Sequence, residues 1–179
     1  MSTLEVNTIK PISGSSTVTL GESGDTIALA SGASQTLALN TPAFSVSKNA
    51  NQSVATSTDT LITWQTENYD TDSAFASNKF TVPSGKAGKY LCTASVRIEY
   101  GNDSGEYGEI KIYKNGSQYR ANLHAVSGNA VRAQNLNICV DMDLAVGDYI
   151  EIYVFHTKGT SQDAVTGDNT YFFMHRLVS

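Results

Sequence analysis

From Ala43 to Ser179 the chain alternates apolar and polar positions with a period of two, the spacing of strands that bury one face. The clearest run sets Leu136, Ile138, Val140, Met142 and Leu144 against Asn137, Cys139, Asp141 and Asp143. Hardly any window shows helical spacing. The pattern predicts strands near 43–48, 60–65, 78–82, 88–99, 108–114, 119–125, 131–143, 148–156 and 170–178. They are bounded by turn residues, as a sandwich or jelly roll requires. Lys114-Asn115-Gly116-Ser117 is the clearest hairpin, because Asn-Gly tolerates the positive φ of a tight turn.

Some strands are apolar on both faces. In 108–114, Ile110 and Ile112 oppose Glu109 and Lys111, which predicts a strand covered on one side and wet on the other. In 148–156, Ile150, Ile152 and Val154 oppose Tyr149, Tyr153 and Phe155, and in 170–178, Phe172, Met174 and Val178 oppose Tyr171, Phe173 and Leu177. A two-sheet sandwich buries only its inner faces, so the second set needs a loop or another subunit as cover. Tyr149, Tyr153, Phe155, Tyr171, Phe173 and Leu177 are therefore the expected subunit-interface residues, with cover by loops of the same chain as the alternative.

Residues 1–41 have another texture. Thr17-Val18-Thr19-Leu20, Thr26-Ile27-Ala28-Leu29 and Thr36-Leu37-Ala38-Leu39 each follow a Ser-Gly pair, at intervals of nine or ten residues. Each unit has too few apolar side chains for a core of its own, so it is either a flexible tail or a stalk intertwined with other copies. Asn40-Thr41-Pro42 ends the repeat, giving a stalk over 1–41 and a head over 42–179.

Composition narrows the partners. A net charge of −5 without a basic run leaves no electrostatic footprint for nucleic acid. No stretch approaches the ~20 apolar residues of a membrane span. Met1-Ser2-Thr3-Leu4-Glu5 lacks the basic and apolar regions of a signal peptide, so synthesis in the cytosol without export is expected. Cys92 and Cys139 are too few for a disulfide framework and read as two buried free thiols.

The motifs along 42–178 resemble the globular domain of the C1q/TNF-like family. They run Pro42-Ala43-Phe44-Ser45-Val46, Tyr69, Phe75, Lys79-Phe80-Thr81-Val82-Pro83, Gly88-Lys89-Tyr90-Leu91, Lys114-Asn115-Gly116 and Asp143-Leu144-Ala145-Val146-Gly147-Asp148-Tyr149-Ile150. The resemblance implies an all-β fold, a ten-strand jelly-roll sandwich, packed as a homotrimer that recognises ligands through apical and lateral loops. It implies no enzyme. At the end Tyr171-Phe172-Phe173-Met174-His175 departs from the family's usual Phe-Ser-Gly, and the lead is not a collagen stalk, since its glycines have no period of three. The opening Ser2-Thr3-Leu4-Glu5-Val6-Asn7-Thr8-Ile9, with the repeats after it, is similar to N-terminal regions of marine bacteriophage tail-fibre proteins. That implies a virion location, on a tail or capsid surface, and attachment to other virion or fibre proteins.

Chemistry is sparse. His124, His156 and His175 lack metal-ligand spacing, and no nucleophile elbow or phosphate loop is present. Carboxylates gather at Glu67, Asp70 and Asp72, at Asp103 and Glu106, and at Asp163 and Asp168; paired carboxylates could hydrolyse glycosides, but loops are polar by default. The segment 100–107 is the preferred ligand contact: Tyr100, Asn102, Asp103, Glu106 and Tyr107 combine hydrogen-bonding groups with rings, as sugar recognition requires. Asp103 and Glu106 are also candidate Ca²⁺ ligands, as at apical sites of some relatives, without a twelve-residue calcium loop to support them; no other cofactor is expected. Trp64 reads as a core or interface anchor rather than a sugar platform. The expected function is a non-enzymatic trimeric fibre or decoration protein whose head binds a host-surface receptor or glycan. The alternatives are a secreted or cell-surface bacterial adhesion module and, third, a polysaccharide depolymerase.

Overall fold

The computed structural model describes residues 40–99, 105–125 and 133–178; the repeats of the predicted stalk lie outside them. All the described residues belong to one compact unit, Ala38–Ser179. They contain strands and no helix: β1 Ala43–Ser47, β2 Gln52–Val54, β3 Thr60–Leu61, β4 Thr66–Asp70, β5 Phe75–Ala76, β6 Lys79–Thr81, β7 Gly88–Glu99, β8 Tyr107–Lys114, β9 Ser117–Ala125, β10 Gln134–Leu144, β11 Tyr149–His156, β12 Gln162–Ala164 and β13 Tyr171–Val178.

Two antiparallel sheets face each other. The first runs β2-β12-β7-β13-β1-β4, with β10 on the other edge of β7; the second runs β5-β6-β11-β8-β9, with β3 beside β11. Period-two alternation turns one row of each strand inward. Phe44 and Val46 of β1, Cys92, Ala94, Val96 and Ile98 of β7, Phe172 and Met174 of β13, and Ile150, Ile152 and Val154 of β11 meet in one core. Its aromatic heart is Phe44, stacked on Phe80 at 5.1 Å and meeting Phe172 edge-on at 4.9 Å, offset and perpendicular geometries that aromatic quadrupoles favour.

All nine predicted strands are present, with Thr60–Leu61 the only laddered part of 60–65. Alternation missed β2, β4, β5 and β12, because two to five residues with at most one buried side chain carry no periodic signal. The Asn-Gly hairpin holds: Lys114 pairs with Ser117, and Asn115 and Gly116 take φ of 54° and 76°. A Cβ on Gly116 would stand 3.2 Å from the Tyr149 hydroxyl, a tight contact that the tyrosine would have to yield to, so it is the positive φ that favours glycine here.

Strand register defines two ends. Ala43 pairs with His175, and Lys89 with Val178, so the head begins and finishes at one end. Ser47 pairs with Tyr171, Gln134 with Ile98, and Tyr107 with Ala125, so the strand ends flanking 100–104 and 126–132 lie at the opposite end.

Candidate functional site

The six expected interface residues do not form one patch. Tyr149, Tyr153 and Phe155 lie on β11, in the second sheet, and Tyr171, Phe173 and Leu177 on β13, in the first, so the two sets look outward on opposite sides of the sandwich. Alternation shows that a strand has two apolar faces but not which sheet will hold it.

On the outer face of the second sheet the rings are half-buried and pair with neighbouring side chains. Tyr153 lies 4.1 Å from Tyr113, Phe155 stacks on Tyr107 at 5.8 Å, and Lys79 stands 4.6 Å over Tyr149. Lys111 lies 4.8 Å over Phe155 and is 8% exposed, which corrects the expectation of a wet strand face at 108–114. Its ammonium is held by Asp59 at 2.6 Å and Glu109 at 3.1 Å. Burial opposes the charge on Lys111, but the two carboxylates hold its pKa above the ordinary lysine value. Burial likewise opposes the charge on Asp59, and hydrogen bonds from Lys111 and from the Tyr113 hydroxyl at 2.7 Å pull its pKa below the usual carboxylate range. Asp59, on the loop between β2 and β3, had no sequence signal as a clamp on this face.

The first sheet keeps an aromatic column on its outside. Tyr171 stacks on Phe173 at 5.9 Å, Phe173 lies 5.4 Å from His175, and the Tyr69 hydroxyl meets His175 Nε2 at 2.9 Å. Tyr69 is 44% exposed and Leu177 40%. The register continues the column sideways: Phe173 pairs with Thr93, Thr93 with Cys139, and His175 with Leu91. Tyr69 and His175 complete this surface and were not singled out as interface residues, since neither reads as apolar in an alternation pattern.

Beyond Cys139 the sandwich opens. A groove of about 430 Å³ runs between β9 and β10, lined among others by Thr93, Arg120, Asn122, Cys139 and Tyr171. Asn122 Nδ2 donates to the Asn137 carbonyl at 2.8 Å across this seam. Cys139 is exposed here, which corrects the expectation of two buried thiols; Cys92 alone is buried. Cys92 pairs with Val140, one residue beyond Cys139, so the two thiols point to opposite faces of the sheet. Burial pushes the Cys92 thiol far above its ordinary pKa, while Cys139 accepts a 3.3 Å hydrogen bond from the Thr93 hydroxyl.

At the loop end, Tyr100, Asn102 and Asp103 lie outside the described residues. Glu106 and Tyr107 are described. The Glu106 carboxylate meets Lys158 Nζ at 3.2 Å, and the Tyr107 ring packs against Phe155. Of the two candidate calcium ligands the structure thus describes one, and a lysine stands beside it. Among the described residues no group of three or more His, Cys, Asp and Glu side chains converges as a metal site would. Two of the carboxylates weighed for hydrolysis have structural partners: Asp70 accepts the Phe75 N–H at 2.8 Å, and Asp72 pairs with Lys86 at 3.4 Å.

No family model matches the chain, and no curated protein does. Solved structures do share its fold. The globular domain of zebrafish complement 1qA protein superposes with a TM-score of 0.53 at 16% identity, over 78% of this chain and 98% of that one. Murine APRIL at pH 5.0 gives 0.56 at 13% identity, over 76% and 98%, and Eiger TNF from S. frugiperda 0.54 at 10%, over 78% and 95%. At such identities the likeness is one of fold.

Proposed function

We propose that this chain, whose fold is a C1q/TNF-like jelly roll, is a homotrimeric and non-enzymatic binding protein, a phage tail-fibre or virion-decoration component. In this reading residues 1–41 form the stalk that joins other virion or fibre proteins, and the head carries loops that meet a host-surface receptor, a glycan in first choice. The observation that supports assembly is the outer face of the first sheet. Tyr171, Phe173, His175 and Tyr69 form a connected aromatic column on a surface that a lone sandwich leaves open to water. The β9–β10 groove, between one edge strand of each sheet, adjoins this column, since Tyr171 lines both. Where the column of one copy meets a different surface of the next, the contact is head-to-tail, and it closes as a ring when the rotation allows. The resemblance to the C1q/TNF-like family supports a ring of three. Three copies then present three weak sites to one cell surface and gain avidity.

Light scattering on the whole 179-residue chain tests the assembly. The expected mass is three times the 19.1 kDa of the chain. Phe173→Asp should return the single-chain mass with an unchanged far-ultraviolet spectrum, because it places a charge in the centre of the column. A native monomer at micromolar concentration refutes the trimer. The virion assignment is tested apart from it, by whether neighbouring genes encode tail or capsid proteins.

A further inference from the structure

The aromatic column includes a histidine, the one side-chain type whose charge ordinarily changes between pH 5 and 8. His175 lies on β13 with its ring 5.4 Å from that of Phe173 and 6.4 Å from that of Tyr69, and the Tyr69 hydroxyl meets its Nε2 at 2.9 Å. Ala43 of β1 and Leu91 of β7 flank it in the register. Two aromatic rings and two aliphatic positions therefore surround a half-buried imidazole on the face that a second copy is to cover.

The charges around His175 do not provide it with a counter-ion. None of the ion pairs among the described residues includes it. The outward charges of this part of the sheet are Lys89 on β7 and Asp141 and Asp143 on β10. Asp141 is exposed and pairs with Leu91, which places it two strand spacings, about 10 Å, from His175. That is one Debye length at ordinary salt, so its attraction is largely screened. Lys89 carries the same sign as a protonated imidazole, and Asp143 stands opposite Lys89 in the register. The outward positions of β1 are Ala43, Ser45 and Ser47, none of them titratable. On the β4 side, Asp70 is turned to the Phe75 N–H, Asp72 pairs with Lys86, and Glu67 lines a separate recess with Trp64. Arg176, beside His175 on its own strand, donates to the Ala87 carbonyl. A proton on His175 has no anion to hold it once water is taken away, and an unpaired charge in a dry contact is costly.

The contact with Tyr69 favours the same state. A neutral ring can accept the phenol proton at Nε2, whereas a protonated ring has only donors and loses that role. We propose that His175 is a pH switch on the assembly: copies of the chain associate while its ring is neutral, and its protonation in mild acid separates them. The inference rests on the reading that the column is the contact between copies, and names what regulates that contact. Its sign follows from linkage. The separated head binds a proton on His175 that the assembled head excludes, so association weakens as pH falls. Each such histidine changes the association constant by up to about tenfold per pH unit, and three copies together by up to about a thousandfold.

Sedimentation equilibrium of the whole chain at pH 7.5, 6.5 and 5.5 reads the association constant over a range in which ordinary carboxylates stay charged. The native protein should be trimeric at pH 7.5 and lose association by about a hundredfold or more at pH 5.5. Its far-ultraviolet spectrum should stay unchanged, and return to pH 7.5 should restore the trimer. His175→Gln keeps a polar group for Tyr69 and has no charge to gain. Its association constant, whatever the value at pH 7.5, should change less than about threefold over the same range. His175→Phe gives the same reading should the first variant not fold or not associate. A native trimer that persists at pH 5.5, or variants that come apart as steeply as the native protein, overturns the switch and leaves the trimer standing. A native monomer at pH 7.5 overturns the trimer and the switch with it.

Discussion

Lys48 carries the sharpest quantitative consequence of this fold. It follows β1, is 4% exposed, and directs its ammonium at neutral acceptors only: the Thr63 carbonyl at 2.8 Å, Gln52 Oε1 at 3.2 Å and the Thr63 hydroxyl at 3.4 Å. No carboxylate pairs with it among the described ion pairs. Burial therefore dominates and lowers its pKa from 10.5 to about 8. Between those two values the unfolded chain holds a proton that the folded chain has released, so stability rises with pH across that window, by at most about 1.4 kcal/mol per unit. Below pH 8 both states are protonated and the cost of burying the charge is present in full. Lys48→Met removes this dependence and keeps the stem's length. It also strips Gln52 and Thr63 of a donor, so its effect at pH 7 mixes two opposing terms, and the pH dependence of the difference is the clean observable. Urea unfolding of both proteins at pH 7, 8, 9 and 10, at one protomer concentration, should show the native protein gaining about 2 kcal/mol on the variant over that range. A difference that stays flat, or runs the other way, refutes the account of Lys48 as a charge buried among neutral partners.

Further outcomes follow from the Asp59 clamp and the two thiols. Asp59→Asn removes the carboxylate shared by Lys111 and Tyr113 and should cost about 1–3 kcal/mol at neutral pH, as expected for a hydrogen-bonded charge pair left incomplete. Because the folded pKa of Asp59 is depressed, its contribution is complete above the ordinary carboxylate value and is lost as pH falls through the folded one, so native and variant melting curves should converge in acid. In the native protein a thiol reagent should modify Cys139 and spare Cys92 until unfolding, and Phe173→Asp should speed the reaction at Cys139, which lies beside the aromatic column; an equal rate in both would speak against burial of that column in an assembly.

The chain's alternation by itself determined the all-β class, the long strands and the Asn115-Gly116 hairpin, because period two and positive-φ turns are local properties of the backbone. It also marked β11 and β13 as strands with two apolar faces. Only the tertiary structure decided what those faces meet. The sheet to which a strand belongs depends on pairings across the whole chain, such as Phe172 with Ala94 and Ile152 with Ile112, and these send Phe173 outward on one side and Tyr153 outward on the other. The same holds for the groups that carry chemistry. Lys111 looked wet until Asp59, 52 residues earlier in the chain, came to rest on it. Cys92 and Cys139 looked alike until their strands were laid side by side. Tyr69 and His175 meet across 106 positions of sequence, and a contact between segments so far apart leaves no periodic trace in the chain.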